Sequence, residues 1–196
     1  MPVPTELSTT RLLLRPWRAA DAAALHPILE TNATHLGPWI PARVAQAAPI
    51  PVLAQRLDGF GADFAADREW RFALLTRDGG SVLGEVGLFP RSATGRAPFA
   101  DSDRAELGYW LRSDETGRGL VTEAARAVLA VAASIERFSH VEIRCDARNL
   151  PSAAVPRRLG FVLAAPTAAS AVATTESSAR MQVWTLALSH GSASGG

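Results

Sequence analysis

The chain has no lysine. All 20 of its basic residues are arginine, and 19 acidic residues leave a formal net charge of only +1 over 196 residues. A P-loop needs a lysine followed by serine or threonine, so that class of nucleotide site is excluded. Domains that bind nucleic acids carry a marked excess of positive charge, so the near-neutral balance argues against a nucleic-acid partner. The arginines are scattered, which is typical of solvent-exposed side chains.

Cysteine is almost as scarce, and long apolar runs are missing. The single cysteine, Cys145, excludes an internal disulfide and suits a reducing compartment, and its apolar surroundings favour core packing over a nucleophilic role. The four histidines share no metal-ligand spacing, so we expect no metal site. Glu6 and Arg11 interrupt any signal-peptide core, and no apolar run approaches the roughly 20 residues that span a bilayer. The sequence therefore predicts a cytoplasmic protein with no membrane partner.

The length predicts a single domain, over residues 1–189, followed by a disordered tail over residues 190–196. Apolar periodicity predicts strands and helices in mixed order, beginning with antiparallel strands and ending with strand–helix–strand units. That order indicates the α+β class. Between the last two strands, Ala164–Arg180 is rich in small residues, and both a loop and a strand extension stay open for it.

The most informative stretch runs from Glu106 to Ala125. It predicts a strand over Leu107–Leu111, a polar turn, the glycines Gly117 and Gly119, and a helix over Leu120–Phe138. The first N–H groups of a helix lack partners inside it and lie at the positive end of its dipole. Glycines let a bulky anion approach them, so the pattern predicts a phosphate or pyrophosphate site. The third glycine of a dinucleotide fingerprint is missing, and a bare Gly-x-Gly also suits an ordinary turn before a core helix.

A second strand–helix unit follows. The run Val141–Cys145 alternates apolar and polar residues, as a half-buried strand does. Asn149 is a suitable N-cap, Pro151 suits a first helical turn, and Gly160 suits the C-terminal end of that helix. Two consecutive strand–helix units, each with polar residues at the start of the helix, support the prediction of a binding site better than one does.

These motifs resemble the GCN5-related N-acetyltransferases (GNAT), in the branch of the ribosomal-protein N-terminal (RimJ/RimL-like) acetyltransferases. The matching pieces are residues 10–17, 36–41, 83–88, 106–111 and 116–121, and the set Asn149, Ser152, Gly160 and Phe161. The pieces stand in the order of the family. The resemblance implies a mixed, mostly antiparallel twisted sheet that is splayed at its centre, is flanked by helices and holds the coenzyme in the opening.

The resemblance also implies acetyl-CoA as the cofactor, bound by the backbone of the glycine loop. The implied cofactor-binding residues are Leu111, Thr116, Gly117, Arg118, Gly119, Leu120, Val121, Thr122, Asn149 and Ser152. Thr116 and Val121 depart from the family pattern, and Val121 is bulky enough to crowd the phosphates if it faces them. Pro156 is a further departure. Having no N–H, it cannot bond to the Ser152 carbonyl, so we expect a kink in the helix there.

Acetyl transfer to an amine needs a group that accepts the ammonium proton and a group that protonates the leaving thiolate. Glu106 and Glu85 are the candidate acceptors, and a solvated edge glutamate is the alternative for each. The tyrosine acid common in the family is absent from the last motif. Ser152 resembles the serine that this branch uses instead, with a helix-capping role as its alternative.

Trp39, Glu85 and Tyr109 are the residues that we expect to contact the acceptor. An aromatic wall at Trp39 suits an amine, which cation–π contact attracts before deprotonation. The implied acceptor is a protein N-terminus or a small-molecule amine, and an antibiotic or amino-acid acetyltransferase is the runner-up. A catalytically silent, regulatory coenzyme-A-binding domain stays open from another class. A homodimer also stays open, because the final strand is apolar.

Overall fold

The computed structural model of the chain describes residues 2–165 and 180–189. The expected tail at 190–196 and nearly all of the stretch from Ala164 to Arg180 lie outside these residues. The strands are β1 (Leu7–Ser8), β2 (Leu12–Pro16), β3 (Trp70–Thr76), β4 (Val82–Ser92), β5 (Gly95–Arg96), β6 (Arg104–Leu111), β7 (His140–Asp146), β8 (Val162–Leu163) and β9 (Met181–Ala187). The helices are α1 (Ala22–Thr31), α2 (Ala33–Leu36), α3 (Ala42–Ala45), α4 (Ile50–Ala65), α5 (Leu120–Ala133) and α6 (Leu150–Arg158).

The strands form one sheet in the order β1-β2-β3-β4-β6-β7-β9-β8, with β5 paired to β4. The neighbours pair antiparallel, except for the parallel pair of β6 and β7. In the described part of the chain, β6 and β7 are in register only at Ala105–Val141 and Glu106–Glu142. The two strands diverge beyond these pairs. This confirms the predicted α+β class and the predicted mixed sheet that opens at its centre.

The sheet separates two apolar cores, and β3 contributes to both because side chains alternate across a strand. Trp70, Phe72 and Leu74 pack into the core that α5 covers. Ala73 and Leu75 pack into the core that α1 and α4 cover. Since both faces of β3 are buried, its sequence is a nearly continuous apolar run rather than an alternating one.

Helix α5 ends at Ala133, so the prediction of a helix as far as Phe138 was wrong. Ser134 ends it by turning both its N–H and its hydroxyl to the Val131 carbonyl, at 3.0 and 2.7 Å. Ile135 and Phe138 stay buried in the turns that follow. The apolar pattern therefore continues past the end of the helix, which is why periodicity alone extended it too far.

Candidate active site

The glycine loop before α5 has the features of an anion cradle. Gly117 and Gly119 adopt φ values of +75° and +77°, in the left-handed region that favours glycine. A Cβ added at Gly117 would meet no heavy atom within 4 Å, so the space above the loop is open. Glu123 is the first residue of the helix whose N–H bonds back, to the Gly119 carbonyl at 3.1 Å. The preceding N–H groups, at the positive end of the helix dipole, have no acceptor within the helix.

An ion pair between Arg11, in the turn before β2, and Glu123 of α5 holds this loop in place. Arg11 donates from Nε to a Glu123 carboxylate oxygen at 2.7 Å and from Nη1 to the Arg118 carbonyl at 2.9 Å. The Thr9 hydroxyl donates to the same carboxylate at 2.6 Å. Burial acts in the opposite direction, but these hydrogen bonds lower the pKa of Glu123. Local sequence patterns do not predict these contacts, because more than 100 residues separate Arg11 from Glu123.

The other implied cofactor residues lie around the same loop. Arg118 pairs with Glu115, and the Thr116 hydroxyl donates to the Ser113 carbonyl at 2.8 Å. Leu111, Leu120 and Thr122 flank them at the end of β6 and in the first turn of α5, with Leu111 and Leu120 buried. Val121 packs against the apolar core, so its side chain does not stand over the loop as a bulky obstacle.

A cleft opens where β6 and β7 diverge, and it gathers predicted residues from four parts of the sequence. Trp39, Glu85, Glu106, Tyr109, Asn149 and Ser152 all line it. Its floor includes Phe89, whose ring lies over a pair of glycines that face each other across β4 and β6, Gly87 and Gly108. A Cβ at Gly87 would come within 2.5 Å of that ring. The ring fills the space that side chains at these two positions would occupy.

Glu85 lies at the base of the cleft and is only 5% exposed. Its carboxylate accepts hydrogen bonds from Trp17 Nε1 at 2.7 Å and from Arg71 Nη1 at 2.8 Å. Burial raises the pKa of Glu85, and the Arg71 charge and the two hydrogen bonds partly offset that rise. The alternative of a solvated edge glutamate is therefore wrong for this residue.

Glu106 lies higher in the cleft, where β6 borders β7. Arg91 donates to one of its oxygens at 2.5 Å, and Arg96 approaches the other at 3.4 Å. The Arg96 guanidinium also stacks on the Phe89 ring, with its carbon 3.7 Å from the ring centroid. Both candidate proton acceptors are thus paired with arginines, so the expectation that the arginines are scattered surface charges is wrong for these side chains.

The polar residues of the last motif meet β6 at the other side of the opening. Asn149 Oδ1 accepts from the Ser152 N–H at 3.2 Å and so caps α6, which is the capping role left open for it. The Ser152 hydroxyl instead points to the Tyr109 hydroxyl, 3.3 Å away. A capping role for the Ser152 side chain is therefore wrong. The Cys145 thiol is buried beside it, and burial raises the pKa of that thiol.

Trp39 forms part of the cleft wall from the turn between α2 and α3. Its side chain is 40% exposed, and the Arg148 guanidinium carbon lies 6.0 Å from its ring centroid. Trp39 therefore lines the cleft, and its contact with an acceptor stays a prediction.

The described residues contain no cluster of three or more histidine, cysteine, aspartate or glutamate side chains arranged to hold a metal ion. Among the helices of the same residues, none combines the length and apolarity that crossing a membrane requires.

Comparisons with known proteins agree with this architecture. The chain matches the acetyltransferase (GNAT) domain family over residues 11–162. It is 31% identical over 83 residues to YdaF of Bacillus subtilis (strain 168), provisionally named a ribosomal N-acetyltransferase, and the match covers 42% of this chain and 42% of YdaF. The chain thus spans less than half the length of that curated relative.

Two solved structures share the fold. One is RimL, a ribosomal L7/L12 alpha-N-protein acetyltransferase in complex with coenzyme A, at a TM-score of 0.75 and 18% identity over 95% of this chain and 97% of RimL. The other is MccE, a microcin C7 self-immunity acetyltransferase in complex with acetyl-CoA and AMP, at a TM-score of 0.75 and 17% identity over 95% of this chain and 98% of MccE. The domain match covers most of the chain and includes β2, the hairpin of β3 and β4, the glycine loop and the last motif. The chain therefore belongs to the acetyltransferase (GNAT) domain family.

Proposed function

We propose that the protein is an N-acetyltransferase that moves the acetyl group of acetyl-CoA directly to a primary amine. The observation that carries this proposal is the position of the glycine loop. Its open backbone donors lie at the start of α5, in the connection that follows the end of β6 that diverges from β7. A long, phosphate-bearing thioester bound at the loop would extend its reactive end into that cleft. Family membership supports the same reaction.

The residues of the loop fit the coenzyme. The N–H groups from Gly117 to Thr122 would hold the diphosphate, and Asn149 and the end of β6 at Leu111 would flank the pantetheine arm. Once bound, the coenzyme supplies an activated acetyl thioester. A backbone N–H of β6 at the divergence would polarise the thioester carbonyl.

The two carboxylates and Ser152 would handle the protons. Glu85 is our choice as the group that accepts the ammonium proton, because its raised pKa brings it closer to neutrality than an ordinary glutamate. Glu106, held by Arg91 and Arg96, would attract and orient the amine. Ser152, at the opposite side of the opening, would protonate the leaving thiolate.

The acceptor that we favour is a protein N-terminus, as the name of RimL, an alpha-N-protein acetyltransferase, states for that protein. A small-molecule amine, such as an antibiotic or amino acid, is the second candidate. The cleft favours it in one respect, because arginines line it alongside the carboxylates and would hold an anionic group of a small acceptor. Arg43 and Arg144 are exposed examples. The homodimer and the cytoplasmic location stay predictions.

Calorimetric titration with acetyl-CoA, followed by a thiol-release assay, tests this function. The acceptor panel should contain peptides with free N-termini, matched N-formylated peptides as controls, and small amines with and without a carboxylate. We expect binding, and thiol release equal to the amount of acetylated amine for one acceptor class. Binding without release for every acceptor would support the silent coenzyme-A-binding alternative. No binding would contradict both.

A further inference from the structure

The carbonyl of Ser152 lacks its usual partner inside α6. In a helix this oxygen accepts from the N–H four residues later, and here that residue is Pro156, which has no N–H. The Tyr109 hydroxyl takes the vacant position and donates to the Ser152 carbonyl at 3.0 Å. Tyr109 belongs to β6, on the other side of the opening between the strands. The proline thus makes a backbone acceptor available to a side chain that is 43 residues away in sequence.

The same phenol also contacts the Ser152 side chain. Ser152 Oγ donates to Tyr109 Oη at 3.3 Å, and the Ser152 N–H is held by Asn149 at 3.2 Å. A phenol has one proton to donate and can accept in return, so a single hydroxyl can satisfy both contacts with the serine. The backbone N–H, the carbonyl and the hydroxyl of Ser152 are therefore all fixed by neighbours that line the cleft.

From this geometry we propose that Tyr109 is a positioning residue for Ser152, which it anchors through the carbonyl that Pro156 leaves free. The inference rests on the proposed function, in which Ser152 protonates the thiolate. A serine at the first turn of a short helix has several side-chain rotamers. Anchoring both its carbonyl and its hydroxyl selects one of them and keeps the hydroxyl at the sulfur end of the cleft.

The surroundings of Tyr109 agree with this role. Burial raises the pKa of the phenol, so it keeps its proton and stays a donor throughout the working range of pH. The ring also packs against the apolar core, which a phenylalanine would preserve. Tyr109→Phe therefore removes the two hydrogen bonds and leaves the packing in place.

A double-mutant cycle on turnover tests the proposal. We expect Tyr109→Phe to lower kcat about tenfold and to change the KM for acetyl-CoA by less than about twofold, since a hydrogen bond contributes roughly a factor of three to ten. In a Ser152→Ala background, Tyr109→Phe should lower kcat no further. In a Pro156→Ala background the new N–H serves the Ser152 carbonyl, so the loss from Tyr109→Phe should shrink to about threefold. Pro156→Ala also favours the helix, so folding does not limit this variant.

An unchanged kcat for Tyr109→Phe, or an equal loss in all three backgrounds, would overturn the proposal. A raised KM or a lowered melting temperature together with the lower kcat would also overturn it, because it would indicate a structural defect instead of lost positioning.

A spectroscopic readout separates this proposal from the proposed function. Tyr109 is the only tyrosine in the chain, so protein labelled with ¹³C at the tyrosine ζ carbon gives a single signal. We expect the signal to shift on Pro156→Ala and on Ser152→Ala, and to show no ionisation up to about pH 10, the ordinary tyrosine pKa. An unchanged chemical shift in both variants would contradict the positioning role, whether or not the protein acetylates an amine. If the signal shifts as expected but the protein acetylates no amine, the proposed function is contradicted and the contact of Tyr109 with Ser152 is still supported.

Discussion

The glycine loop and the cleft offer different kinds of groups to a ligand. In the glycine loop, the groups without a partner in the helix are backbone N–H groups, and the side chains of Arg118 and Thr116 are engaged with their own neighbours. On the acceptor side the functional groups are side chains, and the carboxylates of Glu85 and Glu106 are held by buried or half-buried arginines. A backbone site depends on conformation and tolerates changes of side chain. A side-chain site depends on the identity of each charged group.

The largest expected effect concerns the glycine loop, whose donors are backbone N–H groups. Gly119→Trp places a bulky side chain on the loop at a φ of +77°, and we expect the Kd for acetyl-CoA to rise by about 100-fold or more, because both the strain and the bulk act on the donors. Gly79→Trp is the matched control, since Gly79 has a φ of +75° in the exposed hairpin turn. Calorimetric titration measures both variants. Equal affinities would remove the glycine loop from the cofactor site.

The next effect separates the two carboxylates of the acceptor side. Because the pKa of Glu85 is raised, the acid limb of the kcat profile should lie above the ordinary glutamate value of about 4.3, with activity rising as Glu85 loses its proton. Glu85→Gln should lower kcat about 100-fold and abolish this limb.

Glu106→Gln is the comparison for that prediction. It should chiefly raise the KM for the amine and leave the acid limb in place. If Glu106→Gln abolished the limb and Glu85→Gln kept it, the two roles would have to be exchanged. Melting temperatures serve as the control, because Glu85→Gln also removes one of the two carboxylates that pair with the buried Arg71, the other being Glu69.

A smaller effect concerns the Arg11 side chain, which holds the glycine loop through Glu123 and the Arg118 carbonyl. Arg11→Ala removes the side-chain hydrogen bonds to Glu123 and to the Arg118 carbonyl and keeps the bond from the Arg11 backbone N–H to Glu123. We expect the KM for acetyl-CoA to rise roughly fivefold with kcat unchanged, because a looser loop gives up about one hydrogen bond of organisation. Arg126→Ala, on the exposed face of α5, is the matched control and should behave as wild type. A rise in KM for both variants would indicate an effect of net charge and not of the contacts that Arg11 makes.

The smallest effect concerns the aromatic wall. Trp39→Ala should raise the KM for the amine about threefold and leave the Kd for acetyl-CoA unchanged, since an exposed cation–π contact contributes roughly 0.5–1 kcal/mol. Trp39→Phe should restore most of the loss. An effect on acetyl-CoA alone would place Trp39 on the other side of the cleft.

Much of this architecture follows from local sequence patterns. Alternating and continuous apolar runs predicted the central strands, and Gly117, Gly119 and Asn149 marked the starts of α5 and α6, because φ preferences and capping are properties of a few adjacent residues. The resemblance to a family supplied the splay of the sheet. Local rules failed at the end of α5, where buried residues continue in turns after Ser134.

The partners of the charged groups were not predictable in the same way. Arg71 and Glu85 meet because their strands pair in a given register, and Arg11 reaches Glu123 only after β2 and α5 have packed together. Such pairs depend on tertiary structure, and the many arginines of the chain offer no local signal to single out the ones that matter. The contact of Tyr109 with Ser152 has the same origin, since it needs both the proline in α6 and the parallel pairing of β6 with β7.

The ring of Phe89 contacts two guanidinium groups of like charge. The Arg71 carbon lies 4.7 Å from its centroid and the Arg96 carbon lies 3.7 Å from it. Gly87 and Gly108 leave room for this ring, so one added methyl group at Gly87 would displace it. The width of the cleft and the distance between the two guanidinium groups therefore both depend on the uncharged residue at position 87. A substitution at Gly87 can change both without altering an ionisable residue.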